Sequence, residues 1–337
     1  MSFFEGRLTT ERRQELRVRC SRWHLLASCW WHLLVVALLL GSAFAVQARP
    51  LRALMPPASG SGQQHLAFPQ SRLFRPLLAD PQELRSYATL TYVNFAAAGM
   101  PFRDPDTRFL ASFVGLGGNL GLYGWRSPSG RYGAQIGVSG AGFSQFNLTR
   151  VGAPLLNTDF LAALPITARL GPWSARVRLF HQSSHLGDEL LRNNPAIRLE
   201  ALSINGVDYM GAFNLGLWGF LTRLYAGGSV WFDADPNIEP LSFQAGLEVV
   251  LPQASWLQWS PYRFVRPIVA SDFRVVQAQN WRLRTNLRFG VEANGAEPTT
   301  ARRFRMLVAL WFGPYPFSQF FRDRRLFGVG LQSQFDF

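Results

Sequence analysis

Two side chains able to do acyl-transfer chemistry stand two residues apart in this sequence. They are His181 and Ser183, in the run Leu179-Phe180-His181-Gln182-Ser183-Ser184-His185-Leu186-Gly187-Asp188-Glu189. An imidazole can take the proton of a hydroxyl that attacks an ester carbonyl, provided a third group holds the ring. Residues two apart on a strand share a face, so this pair belongs with Ala175, Val177 and Leu179, opposite Arg176 and Arg178. On the following segment Ile197, Leu199, Ala201, Ser203 and Asn205 share the apolar parity, while Arg198 and Glu200 take the other. Face alone therefore favours Asn205 as the orienting group. Asn193, Asn194 and Glu200 are nearer in sequence and stay open. The candidate catalytic set is Ser183 as nucleophile, His181 as base and Asn205 as orienter.

A second constellation is made of arginines that alternate with apolar residues: Arg176 and Arg178 in one segment, and Arg282, Arg284 and Arg288 in another. Two readings compete for them. They line a lumen and pair with Glu200, Glu248 and Glu292 as a structural network, or they form a path for anions.

Strands must carry both constellations. From Ser86 onward the apolar pattern has period two, as in Trp281, Leu283, Thr285, Leu287, Phe289 and Val291 set against Arg282, Arg284, Asn286, Arg288 and Glu292. Strands are expected at 86–98, 107–126, 131–147, 158–170, 173–184, 197–217, 220–233, 240–251, 262–276, 281–293, 303–312 and 325–337. Each is long enough to cross a bilayer at a tilt, and an open sheet edge cannot face lipid. The expected fold is all-β: a closed antiparallel transmembrane β-barrel of about 12 strands, an even number as single-chain bacterial barrels have. Short turns at Ser127-Pro128-Ser129-Gly130, Gly171-Pro172 and Trp218-Gly219 suit the periplasmic end; the 251–262 and 293–303 connections are longer.

Composition agrees with this picture. Only 16% of residues are charged and 14% are aromatic, so water cannot cover the whole surface. All the basic residues are arginine. Residues 1–48 have the form of a signal peptide: Arg12, Arg13, Arg17, Arg19 and Arg22 precede an apolar run from His32 to Leu40, then Ala43-Phe44-Ala45 and Val46-Gln47-Ala48. An uncleaved anchor helix is the alternative. Removing residues 1–48 takes away six arginines and three glutamates and lowers the net charge from +13 to +10. It also removes Cys20 and Cys29, which leaves no thiol for disulfide or metal chemistry.

Residues 49–85 lack strand periodicity and read as a periplasmic N-terminal stretch or plug, in which Phe74-Arg75-Pro76-Leu77-Leu78-Ala79-Asp80-Pro81 is apolar enough to dock. Residues 86–337 form the barrel. Phosphate-binding loops and paired-cysteine metal motifs are absent from the sequence, and no nucleic acid is expected as a partner. No cofactor is expected either, although Asp188 and Glu189 could bind a cation such as calcium.

The His181-Gln182-Ser183 run resembles the active-site strand of outer-membrane phospholipase A, a twelve-stranded barrel, and is similar to the His-x-Ser strand of the lipid A 3-O-deacylases. The resemblance implies Ser183 as acyl nucleophile and His181 as base. It departs from the phospholipase three places after the histidine, where this chain has Ser184 instead of an asparagine. Across the mature chain a broader resemblance is to the outer-membrane family known as domain of unknown function 1207. Phe74 to Pro81, Gly171 to Arg178, His181 to Glu189 and Ser318-Gln319-Phe320-Phe321-Arg322-Asp323-Arg324 carry it. That family implies an envelope barrel without assigning an activity. The final strand, Phe327, Val329, Leu331, Ser333, Phe335 and Phe337, resembles the C-terminal signal that barrels present to their insertion machinery.

The sequence thus leads to the bacterial outer membrane and leaves two functions of different class, with outer-membrane lipids as the expected partner of the first. One is a serine-type acyl hydrolase of outer-leaflet lipids, of phospholipase A or lipid A deacylase type. The other is a passive channel or transporter for small anionic solutes. A non-catalytic structural barrel is a third, with His181 and Ser183 meeting lipid head groups at the aromatic girdle.

Overall fold

A computed structural model describes residues 64–70, 72–95, 108–193, 202–217, 219–252, 264–294, 303–317 and 325–336. The expected signal peptide 1–48, together with Asn194, Glu200 and Phe337, lies outside these residues. A short strand β1 (Gln64–Ala67) is followed by β2 (Ser86–Phe95), β3 (Arg108–Arg126), β4 (Tyr132–Asn147), β5 (Leu155–Leu170), β6 (Trp173–Leu186) and β7 (Leu202–Leu217). Next come β8 (Phe220–Asp235), β9 (Leu241–Val250), β10 (Phe264–Val276), β11 (Arg284–Asn294), β12 (Arg303–Pro314) and β13 (Arg325–Asp336). One helical turn, α1 (Asp188–Asn193), follows β6, and a 3₁₀ turn (Gln277–Gln279) links β10 to β11.

Each strand from β2 to β13 pairs antiparallel with its sequence neighbour. Pairing of β13 with β2 and of β3 with β4 closes the ring into a twelve-stranded barrel. Closure is what a lipid environment demands, because every backbone N–H and C=O finds a partner without an edge. The side-chain period does the rest. On β6 the residues Trp173, Ala175, Val177, Leu179 and His181 are exposed, while Ser174, Arg176, Arg178 and Phe180 are buried. Leu116, Leu164, Ile166, Trp173, Leu224, Phe289 and Leu331 are among the large apolar side chains on the outer surface. Such a belt would aggregate in water and is at home in a bilayer. Closure and belt together give the architecture of a membrane-spanning β-barrel.

Much of the lumen is filled. Residues 73–85 pack inside the barrel as a plug: Phe74 and Leu77 lie with Met210, Ala212 and Tyr225, and Leu78 and Ala79 with Val250, Ile268, Ala270 and Leu307. Polar contacts fix the register of this segment. Leu78 N–H donates to Glu248 Oε1 at 2.7 Å, Gln334 Nε2 donates to the Leu78 carbonyl at 3.0 Å, and Arg85 Nη1 donates to Gln334 Oε1 at 2.8 Å. Glu83, 2% exposed, receives Arg176 at 2.8 Å and Arg178 at 3.3 Å. Burial pushes the Glu83 carboxyl up, but the Arg176 and Arg178 guanidiniums outweigh it and hold the group below the usual carboxylate range. Toward the end of the barrel opposite β1, Phe113, Phe143, Trp311 and Phe317 stack across the lumen near β3, β4 and β12.

Candidate functional site

Because β6 and β7 pair in register with His181 opposite Asn205 and Ser183 opposite Ser203, these four residues form two adjacent rows on the outer face. His181 Nδ1 lies 2.9 Å from Asn205 Oδ1, and Asn205 Nδ2 donates to Asp233 Oδ2 at 2.8 Å. The chain of bonds settles the proton. A carboxylate only accepts, so the Asn205 amide turns its NH2 to Asp233 and its carbonyl oxygen to the ring. Nδ1 of His181 then carries the hydrogen, and Nε2 is left with the lone pair of a base. Ser183 stands two residues further on the same face, ~6.6 Å along the strand. An imidazole and a hydroxymethyl group together can bridge that gap with a hydrogen bond of ~2.8 Å.

Asp233 was not legible as part of this set, and the reason is local. On β8 period two places Val230 and Phe232 outside and Asp233 inside. In the structure Gly206 pairs with Trp231 and Asn205 with Asp233, which leaves Phe232 as the extra residue of a β-bulge. The bulge reverses the parity beyond it, so Asp233 and Asp235 face outward and Asp235 comes opposite Ser203. Two register rows result, His181–Asn205–Asp233 and Ser183–Ser203–Asp235.

The register continues from His181 to Ala162 and from Ala162 to Gly140. Both are too small to cover the outer wall there. A groove of about 400 Å3 opens beside the imidazole and Asn205, between Val138, Leu164, Leu179 and Phe232. Ser183 lies ten residues beyond Trp173 on β6. That is ~33 Å of strand at ~3.3 Å per residue, or ~25 Å along the axis at a ~40° tilt. With Trp173 and Phe213 in ring contact at one interface, the serine reaches the opposite boundary of a ~25 Å apolar band. This boundary is the one away from β1 and the Ser127–Gly130, Gly171–Pro172 and Gly219 turns.

Of the five arginines assigned to the lumen, four are there. Arg176 and Arg178 bind Glu83, and Arg178 Nε also donates to Asp208 at 2.7 Å. Arg288 donates to Gln332 at 2.6 Å and lies 4.6 Å over the Trp311 ring. Arg284 is buried on the lumen side of β11. Arg282 is different: it is exposed and precedes β11, in a turn where Asn280 and Trp281 take left-handed φ values of 55° and 54°. The alternation that carried it into a strand ran through this turn by coincidence. Among the other residues left open as orienters, Asn193 ends α1. Asp188 and Glu189 sit in the first turn of α1, both exposed. Among the described residues no three His, Cys, Asp or Glu side chains gather as metal ligands.

No curated protein matches the sequence. Among solved structures, the barrel is similar to outer membrane phospholipase A from Escherichia coli, with 13% identity and a TM-score of 0.42 over 75% of this chain and 92% of that one. It is also similar to the beta domain of the Bordetella autotransporter BrkA, with 12% identity and a TM-score of 0.41 over 75% and 99% of the two chains. A third likeness is to OccK1 of Pseudomonas aeruginosa, with 9% identity and a TM-score of 0.25 over 74% and 97%. None of these likenesses bears on activity. The family model matching residues 60–337, which takes in every described residue of the barrel and its plug, is the one described as protein of unknown function (DUF1207), and the chain belongs to that family.

Proposed function

We propose that this barrel is a serine-type acyl hydrolase of outer-leaflet lipid. The observation that carries the reading is the bonded chain from Asp233 through Asn205 to His181, which leaves Nε2 free on the face and near the level where lipid esters lie. Polar side chains on a lipid face are unfavourable unless they serve a purpose, and here they are arranged in sequence as acceptor, orienter and base. In the reaction Ser183 Oγ attacks the ester carbonyl while His181 Nε2 takes its proton. The ester C–O bond breaks, the same proton passes to the departing alcohol, and water then repeats the steps in reverse to release fatty acid and restore Ser183. Asn205 holds the ring and Asp233 holds Asn205. The groove floored by Ala162 suits an acyl chain beside the scissile bond.

The plug weighs against the rival reading of a passive anion channel, because Glu83 occupies two of the arginines that such a path would use. The test is fatty-acid release from phospholipid and lipopolysaccharide by purified, refolded protein. Ester hydrolysis by the wild type and its loss in Ser183→Ala, with the barrel still heat-modifiable on gels, is the expected result. Activity retained by Ser183→Ala, or none in the wild type with or without calcium, overturns the proposal.

A further inference from the structure

Between the plug and the rim opposite β1, the lumen keeps a cavity that lipid-face chemistry does not use. Its volume of about 80 Å3 holds several waters or one tetrahedral oxyanion. The charged groups on its wall are Arg176, Arg178, Arg274 and Arg284 against Asp80 and Asp208, four cations to two anions. Three of those arginines are already engaged. Arg176 and Arg178 hold Glu83 and Asp208, and Arg274 donates to Gln82 at 3.2 Å and to Ser242 at 3.3 Å.

Arg284 is the exception. It is 4% exposed, and neither its Nε nor its Nη2 has a hydrogen-bond partner among the described residues. The carboxylates near it are turned to other donors: Asp272 accepts from Tyr225, Gln244 and Asn286, and Asp80 from Gln82 N–H and Gln244. The two N–H groups of a guanidinium on its Nε–Nη2 side are parallel and spaced for two oxygens of one anion. A buried charged donor left unpaired is unfavourable, so the unmet edge specifies its ligand.

We propose that this cavity binds a small oxyanion, a phosphate or a carboxylate, gripped by the Nε–Nη2 edge of Arg284. The site is independent of the hydrolase reading, since no residue is shared with the outer rows. Calorimetric titration of the folded wild-type barrel in detergent, with inorganic phosphate in one arm and acetate in the other, tests it and separates the two ligand sources. Saturable one-site binding in either arm is expected. Arg284→Lys keeps the charge but loses the fork, and should weaken binding roughly 10- to 100-fold. In the unmodified protein the Arg284 Nε–H resonance should also shift on titration, which tests the placement if the variant does not fold. Absence of saturable binding in both arms, equal affinity in folded Arg284→Lys, or a resonance that does not respond overturns the proposal.

Discussion

Asp233→Asn is the substitution that most directly tests how the outer rows work. It preserves size and shape and removes only the negative charge that faces Asn205 Nδ2 at 2.8 Å. With an amide at 233, that position can donate or accept, so the Asn205 amide no longer has a preferred orientation. Orientations that offer NH2 to His181 spoil the base, and no charge excludes them any longer. A hydrogen bond to a charged group contributes about 1.5–3 kcal/mol, and the lower end applies at an outward-facing position. A loss of about 1.5–2 kcal/mol in the transition state slows turnover ~10- to 30-fold. The assay is initial-rate release of fatty acid from mixed micelles, with kcat and KM separated. Because Asp233 acts through Asn205 and does not touch substrate, KM should hold while kcat falls, and Asn205→Ala should be at least as damaging. Turnover within twofold of the wild type would refute the relay. Loss as complete as in Ser183→Ala would refute it from the other side, by giving Asp233 a direct role.

The plug and the bulge supply the remaining tests. Glu83→Gln removes the carboxylate that Arg176 and Arg178 share and leaves both with Asp208 alone, at 3.9 and 2.7 Å; breaking such a buried pair costs about 3 kcal/mol, so planar bilayers should show bursts of conductance where the wild type is quiet. The same group sets a pH limit: since Glu83 is held below its ordinary value of 4.5 when docked, its contribution is complete above that pH and is lost as pH falls below it, so wild-type conductance should rise only under acid conditions. A quiet Glu83→Gln barrel, or a wild type that opens at neutral pH, would contradict this. Deleting Phe232 should be tolerated, with hydrolysis within about tenfold of wild type, because the residue is surplus to the ladder and Asp233 stays opposite Asn205 without it. Deleting Ala226 from the regular part of β8 should prevent the heat-stable fold.

Nearly all of the barrel was legible because its strands report lipid on one side and lumen on the other. The expected 131–147 and 303–312 differ from β4 and β12 only at their ends. What escaped has identifiable causes. The four-residue β1 is too short to show a period. Trp281 to Leu283 mimicked a strand because the turn after the 3₁₀ segment Gln277–Gln279 kept the alternation going by chance. The docking of Phe74 to Arg85 depends on lumen side chains from at least seven strands, and no local pattern encodes them. In the candidate site, His181 and Asn205 were readable because parity and pairing agree on β6 and β7. Asp233 was not, since one inserted residue inverts the rule that sequence reading relies on.

The plug has a meaning for how the molecule is put together. It runs straight into β2, and its Arg85 grips Gln334 on β13, so the segment clasps the seam where the first and last barrel strands meet. Synthesis makes the clasp first and its catch last. A nascent chain therefore carries a guest whose host is incomplete until the final hairpin arrives, and sideways opening of the finished wall at this seam has to unfasten Arg85 as well as the ladder bonds.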